Sequence, residues 1–332
     1  MAAAAAVKPV ACLVALAGLL GCASFERSSK PPLEPPPEGV SWLQGAGGVR
    51  LYFSVKLPPG EPWSVVYFVV GPEAGATEPY PGFTAALLAS GVATAVLHPR
   101  GAGFSDGLRG DLDDYRLFLD DLRLGLEQAR RSFPGKAVFL FGQSAGATLA
   151  LQVAATAEPP PAGLVLVNPA YKLVYGEGMG PSPADYVVYA FNALFRRSAL
   201  TVDMNPNPSA VKNAADRAEA LAMQRDPLVV RHFSLRYLLA QREVMDACPR
   251  NAAAVDAPLL LVQGAEDELV DPRGNDEILA AARTADKVKL VSPRGAHGAS
   301  AVETVVEQLV GWVREHRAGA RPPGPAREPL PT

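Results

Sequence analysis

The stretch Val138-Phe139-Leu140-Phe141-Gly142-Gln143-Ser144-Ala145-Gly146 decides how this chain is read. Its apolar run has the pattern of a strand buried on both faces. The run enters Gly-x-Ser-x-Gly, and residues 147–157 continue as an alanine-rich helical stretch. A serine on so sharp a strand-to-helix turn projects its hydroxyl from the end of a sheet. The turn crowds the positions two residues to either side, so glycine fits at 142 and 146 where a β-carbon would collide. The following helix aims its N-terminus at the hydroxyl, and the Ala145 amide can help hold an oxyanion. Ser144 is therefore the candidate nucleophile.

Outward from this point, short apolar runs at 65–70, 93–97, 137–141, 164–167, 259–262 and 288–291 read as strands buried on both faces, and 51–57 alternates like a half-exposed strand. Helical spacing lies between them. From 113 to 133 it is carried by Tyr115, Phe118, Leu122, Leu126, Ala129 and Phe133. The acidic run Asp111, Asp113 and Asp114 stands at the start of that stretch, where a helix dipole favours negative charge. Val302, Val305, Val306, Leu309 and Val313 make a further amphipathic face near the end. Strand and helix in alternation predict an α/β fold, a mainly parallel sheet covered on both sides. The alternation breaks over 170–254. A helical run at 185–195 there carries Val187, Val188, Phe191, Leu194 and Phe195, and the interval reads as a helical cap inserted between two sheet strands.

A serine hydroxyl needs a base, and the base needs an acid to orient it. Of the four histidines, His98 precedes the motif, His232 lies in the cap interval and His316 sits at the end of the last helix. His297 occupies a loop after the last strand and before the last helix, at the carboxyl edge of the sheet that also carries Ser144, and is the favoured base. Asp267 follows the strand at 259–262 and is the favoured acid; Glu266, Asp271 and Asp276 compete. Asp271 precedes Pro272 and a helical run, so it reads as a helix N-cap.

Composition narrows the classes. Of 332 residues 48% are hydrophobic and 20% charged, and the net charge is −3, so a polyanion-binding surface is not indicated and no nucleic acid partner is expected. The three cysteines, Cys12, Cys22 and Cys248, have no metal-ligand spacing, and no metal is expected. Lys8 and the apolar run 10–20 make a targeting segment too short to span a bilayer comfortably. It ends at Leu19-Leu20-Gly21-Cys22, which resembles the lipobox of bacterial lipoproteins. That resemblance implies a signal peptide at 1–21, lipidation at Cys22, and attachment to the cell-envelope membrane. Ala23 at the next position implies the outer membrane over the inner one. Proline-rich residues 22–47 read as a tether and 318–332 as a disordered tail, leaving a catalytic domain at 48–317.

With these residues in place, the chain resembles the monoacylglycerol lipase, lysophospholipase and serine-aminopeptidase-like branch of the α/β hydrolases. The order Ser144, Asp267, His297 agrees with it. His98-Pro99-Arg100-Gly101-Ala102-Gly103-Phe104-Ser105-Asp106-Gly107 is similar to its Arg-Gly-x-Gly-x-Ser-x-Gly turn, and Asp226-Pro227-Leu228 to a cap motif. The resemblance implies a small-molecule or lipid acyl substrate, no cofactor, and hydrolysis through an acyl-enzyme under a movable cap. Thioesterase or aminopeptidase chemistry fits the same triad, and a catalytically weak lipoprotein that uses the fold for binding or envelope assembly is the alternative. The branch carries His-Gly-x after an early strand, where x donates an oxyanion amide. Here the stretch is Val69-Val70-Gly71-Pro72-Glu73. Pro72 has no N–H to give, so Glu73 is the expected second donor beside Ala145.

Overall fold

Side chains alternate across a strand, so a strand apolar at every position needs cover on both faces. That is what the chain builds. The structure, a computed structural model, describes residues 24–30, 32–33, 36–71, 80–174, 181–205 and 207–317. In chain order the elements before the cap are β1 (Val40–Gln44), β2 (Arg50–Lys56), β3 (Ser64–Val69), α1 (Pro81–Ala89), β4 (Val92–Leu97), α2 (Tyr115–Ser132), β5 (Ala137–Gln143), α3 (Ala145–Thr156) and β6 (Gly163–Val167). The cap interval holds α4 (Pro183–Phe195), β7 (Leu200–Asp203), α5 (Ala214–Arg225), β8 (His232–Ser234), α6 (Leu235–Asp246) and α7 (Cys248–Ala252). The chain then returns through β9 (Leu259–Gly264), α8 (Pro272–Ala281), β10 (Lys287–Ser292), α9 (Ala299–Glu303) and α10 (Val306–Glu315).

The main sheet has the order β1-β2-β4-β3-β5-β6-β9-β10. It is parallel from β4 to β10, with β1 and β2 antiparallel at one side. The strand alternation divides the interior into two cores. Val65, Tyr67 and Val69 of β3 face α2, α3 and α8 through Phe118, Leu122, Ala150 and Ile278. Val66 and Phe68 face α1 and the C-terminal helices through Phe83, Leu87, Val302, Leu309 and Val313. Each such fully buried side chain is worth roughly 1.5–3 kcal/mol relative to exposure.

The structure departs from the sequence reading in several places. The run at 288–291 forms β10, but that strand is the sheet edge, and Val288 and Val291 are about half exposed (47% and 50%) rather than buried on both faces. The sheet also starts earlier than expected: β1 lies within the stretch read as tether. Residues 24–30 lie along the body. The Phe25 amide bonds the Leu200 carbonyl at 2.8 Å, its ring stacks on His232, and Arg109 donates to the Ser28 hydroxyl at 3.0 Å. Lys30 is ion-paired with Asp106. Of the acidic run, only Asp114 caps α2; Asp111 is buried and accepts from Ser234 and Arg236 of the cap, so its charge serves a cap contact instead of the dipole. The last amphipathic stretch is two helices, α9 and α10, broken at Thr304 and Val305.

Candidate active site

The turn between β5 and α3 takes the strained form that its sequence requires. Ser144 sits at φ 53°, ψ −121°, a positive-φ conformation that L-residues rarely adopt. Its two glycines are sterically obligatory. A β-carbon on Gly142 would lie 2.3 Å from the Gly146 carbonyl oxygen, and one on Gly146 would lie 2.5 Å from that of Val69. Position 146 therefore also lets the end of β3 pass directly against the turn. The Ala145 amide belongs to the first turn of α3, where helix amides lack an intrahelical acceptor and can face an anion. Glu73 and Pro72, on which the second oxyanion donor was expected, lie outside the described residues, as does Cys22.

Three residues that are far apart in sequence meet at this edge. His297 Nε2 lies 2.8 Å from Ser144 Oγ, and its Nδ1 lies 2.9 Å from Asp267 Oδ2. The Asp267 side chain is 3% exposed and that of His297 24%, so the pair is shielded while the imidazole stays reachable. Asp267 also has a structural duty that the sequence reading did not give it: Oδ1 accepts the Leu269 and Val270 amides at 2.8 and 3.0 Å. That turn leaves Oδ2 for the imidazole. The competitor Asp271 caps α8 through the Arg273 amide at 2.9 Å, as read from Pro272, and its Arg273 partner pulls its carboxyl down to about 2. Asp276 pairs with Lys289 on the surface. His98 stacks on Tyr52, His232 stacks on Phe25, and His316 lies tilted against Trp312, all outside this trio.

The loop of His297 is held by residues that the sequence reading missed. Asn168, fully buried at φ 43°, ties the ends of two strands to it. Its Nδ2 donates to the Ala296 and His297 carbonyls (2.8 and 3.3 Å), and its Oδ1 accepts the Gly264 amide at 2.8 Å. Gln143, the residue before Ser144, donates to the His297 carbonyl at 2.5 Å. Ser300 accepts the Ala296 amide at 2.8 Å. From the cap, Asp216 and Glu219 of α5 accept the amides of residues 298–300. The one sequence signal was positional: Gln143 and Asn168 each stand at the carboxyl end of a buried strand.

The turn read as Arg-Gly-x-Gly-x-Ser-x-Gly is structural. Arg100 grips buried Asp121 of α2 through two bonds of 2.7 Å, and the Phe104 amide donates to His98 Nδ1 at 3.1 Å. In the cap motif, Asp226 accepts the Leu228 amide at 2.8 Å, and Arg109 reaches the Leu228 carbonyl at 2.8 Å, so this turn locks the cap to the body. Cys248 is a buried free thiol whose burial pushes it up to about 12; it stays protonated near neutral pH and offers no second nucleophile. On α4, Tyr186, Val187, Leu194 and Phe195 are exposed, the last two at 75% and 69%, so much of the face read there is open instead of packed.

A serine hydroxyl bonded to an imidazole that is itself bonded to a shielded carboxylate can give up its proton as it attacks a carbonyl. Comparison with known proteins agrees with that chemistry. The family "Serine aminopeptidase, S33" matches residues 61–301. Human monoglyceride lipase is 25% identical over 299 residues, covering 87% of this chain and 95% of its own. The monoacylglycerol lipase of Mycolicibacterium smegmatis is 26% identical, covering 82% and 95%. In fold, a soluble variant of the Saccharomyces cerevisiae monoglyceride lipase superposes with a TM-score of 0.70 at 18% identity, covering 87% of this chain and 99% of that one. The sheet order, the serine turn, the cap insertion and the sequence match lead to one conclusion: this chain belongs to the serine aminopeptidase S33 family and has the α/β-hydrolase fold.

Proposed function

We propose that Ser144 is the nucleophile, His297 the general base and Asp267 the orienting acid of a hydrolase that cleaves acyl esters of lipid-derived alcohols, monoacylglycerols foremost. The protein is a serine hydrolase acting on carboxylic esters. The observation that carries the residue roles is the unbroken chain of hydrogen bonds from Asp267 through His297 to Ser144. As Ser144 Oγ bonds to the acyl carbon, its proton passes to His297 Nε2, and the carbonyl oxygen becomes an oxyanion held by the Ala145 amide, with Glu73 as the second donor. The ester C–O bond then breaks, the imidazolium gives its proton to the departing alcohol oxygen, and water, activated by the same histidine, releases the acid. Asp267 keeps the imidazole in the tautomer with its proton on Nδ1 and stabilises its cation.

A lipid-derived substrate is supported by the lipase relatives and by the open apolar face of α4 in the cap. The reading extends to location. Cys22 is a lipid attachment site after removal of 1–21, and the protein is held at the cell envelope, on the outer membrane. Phe25 lies against β7 and β8 of the cap, so an anchor three residues before it would keep the cap edge near the lipid.

The test is hydrolysis of p-nitrophenyl esters from acetate to palmitate and of 1-monoacylglycerols, by the protein and its Ser144→Ala variant. Turnover that favours medium or long chains and falls on the order of a millionfold in kcat in the variant is expected. Absence of turnover together with absence of fluorophosphonate labelling in the unaltered protein would refute the catalytic reading.

A further inference from the structure

The base loop has a second set of supports, and they come from the cap. Helix α5 begins at Ala214 with an Asn213 N-cap, which aligns Asp216 and Glu219, three residues apart, on one side of the helix. Asp216 Oδ2 accepts the Gly298 amide at 2.7 Å and Oδ1 the Ser300 amide at 2.9 Å. Glu219 Oε2 accepts the Ala299 amide at 2.8 Å. Three consecutive amides directly after His297 thus end on two carboxylates of another element. A β-carbon at 298 would lie 2.4 Å from Glu219 Oε2 and 2.8 Å from Asp216 Cγ, so a side chain there would have to push the carboxylates off these amides. Asp216 is 6% exposed, and neither carboxylate is ion-paired with a lysine or arginine among the described residues. Their charge is spent on backbone amides, where such bonds are worth about twice a neutral one.

We propose that Asp216 and Glu219 are positioning residues for the proposed general base, so that His297 is aligned for proton transfer only while cap helix α5 is seated on the loop. This rests on the triad reading above. It adds a coupling: a cap that lifts with α5 releases the three amides and with them the imidazole. The charged groups around this contact are Asp216 and Glu219 on α5, Glu303 on α9, Asp267 after β9 and His297 itself. Burial, with Asp216 and Glu303 nearby, raises the Glu219 carboxyl, while the Ala299 amide and His297 hold it down.

The experiment measures kcat and KM on p-nitrophenyl acetate, whose acyl group is too short to use an apolar cap. The full chain is compared with Ser144→Ala, the pair Asp216→Ala/Glu219→Ala, and Glu219→Gln, with thermal melting to establish folding. The alanine pair is expected to lose about 10- to 100-fold in kcat with KM within about 2-fold, the size of effect that slight misplacement of a reacting group produces. Glu219→Gln keeps an oxygen for the Ala299 amide. It is expected to keep kcat within about 3-fold because that bond is retained. If the alanine pair does not fold, Glu219→Ala takes its place, with kcat expected below that of Glu219→Gln. Unchanged kcat in a folded alanine variant, a change in KM alone, or a Glu219→Gln loss as large as that of the alanine variant would overturn the positioning role. An unaltered protein as inert as Ser144→Ala would instead overturn the triad reading beneath it.

Discussion

The two halves of the site are held in different ways. Ser144 is fixed by backbone collision: Gly142, Gly146 and the Val69 carbonyl leave the turn one shape, and every participant lies within β3, β5 and the start of α3. His297 is fixed by side chains that converge from Gln143, Asn168, Asp216, Glu219 and Ser300 onto an irregular loop. A site held by sterics should fail all at once. A site held by several bonds should lose function in steps, each step a fraction of the whole.

Three substitutions can break or sharpen this contrast. The largest effect is expected at the carboxylate that faces the imidazole directly. Asp267→Asn removes the charge facing the imidazole and can present an N–H to Nδ1, favouring the wrong tautomer; kcat should fall on the order of 10,000-fold with the fold intact by circular dichroism. A loss under about tenfold would mean that the convergent bonds orient His297 without it. Next comes Gly146→Ala. Its β-carbon would lie 2.5 Å from the Val69 carbonyl oxygen, so overpacking costs about 1–3 kcal/mol, and the displaced turn should lower kcat by about 100-fold or more. Urea melts and esterase kinetics check both, and a neutral outcome would erase the contrast from the serine side. Smallest is Asn168→Ala, which leaves Gln143 and the α5 carboxylates in place. A kcat loss of about tenfold is expected, with about 1–3 kcal/mol of stability lost because the Gly264 amide is buried without its acceptor.

The same contrast explains what could be read from the sequence. Ser144 was legible because strand, turn and helix are local patterns within twenty residues, and the glycines follow from sterics at fixed offsets. His297 and Asp267 were legible by their place at strand ends, although Asp267 turned out to bind its own turn as well. The supports of His297 were not. Asn168 and the loop it holds are about 128 residues apart, and Asp216 and Gly298 about 82, so no periodicity links them. Burial misled at β10: Val-Lys-Leu-Val has strand propensity wherever it lies, and only the sheet order makes it an edge. β1, following prolines and mixing Trp42 and Leu43 with polar neighbours, carried too little hydrophobic pattern to separate it from the stretch before it.

The position of β10 has a consequence for how the molecule behaves among its own copies. Among the described residues this strand pairs only with β9, so its outer side presents unsatisfied amides and carbonyls, with Val288 and Val291 open to solvent. Such a border is a template on which a foreign strand can crystallise into cross-β growth. Lys287 and Lys289 interrupt the valines, Lys287 reaching the Ala282 carbonyl and Lys289 pairing with Asp276. Any strand added there would have to desolvate these ammonium groups. They act as gatekeepers on the strand that leads straight into the loop of His297.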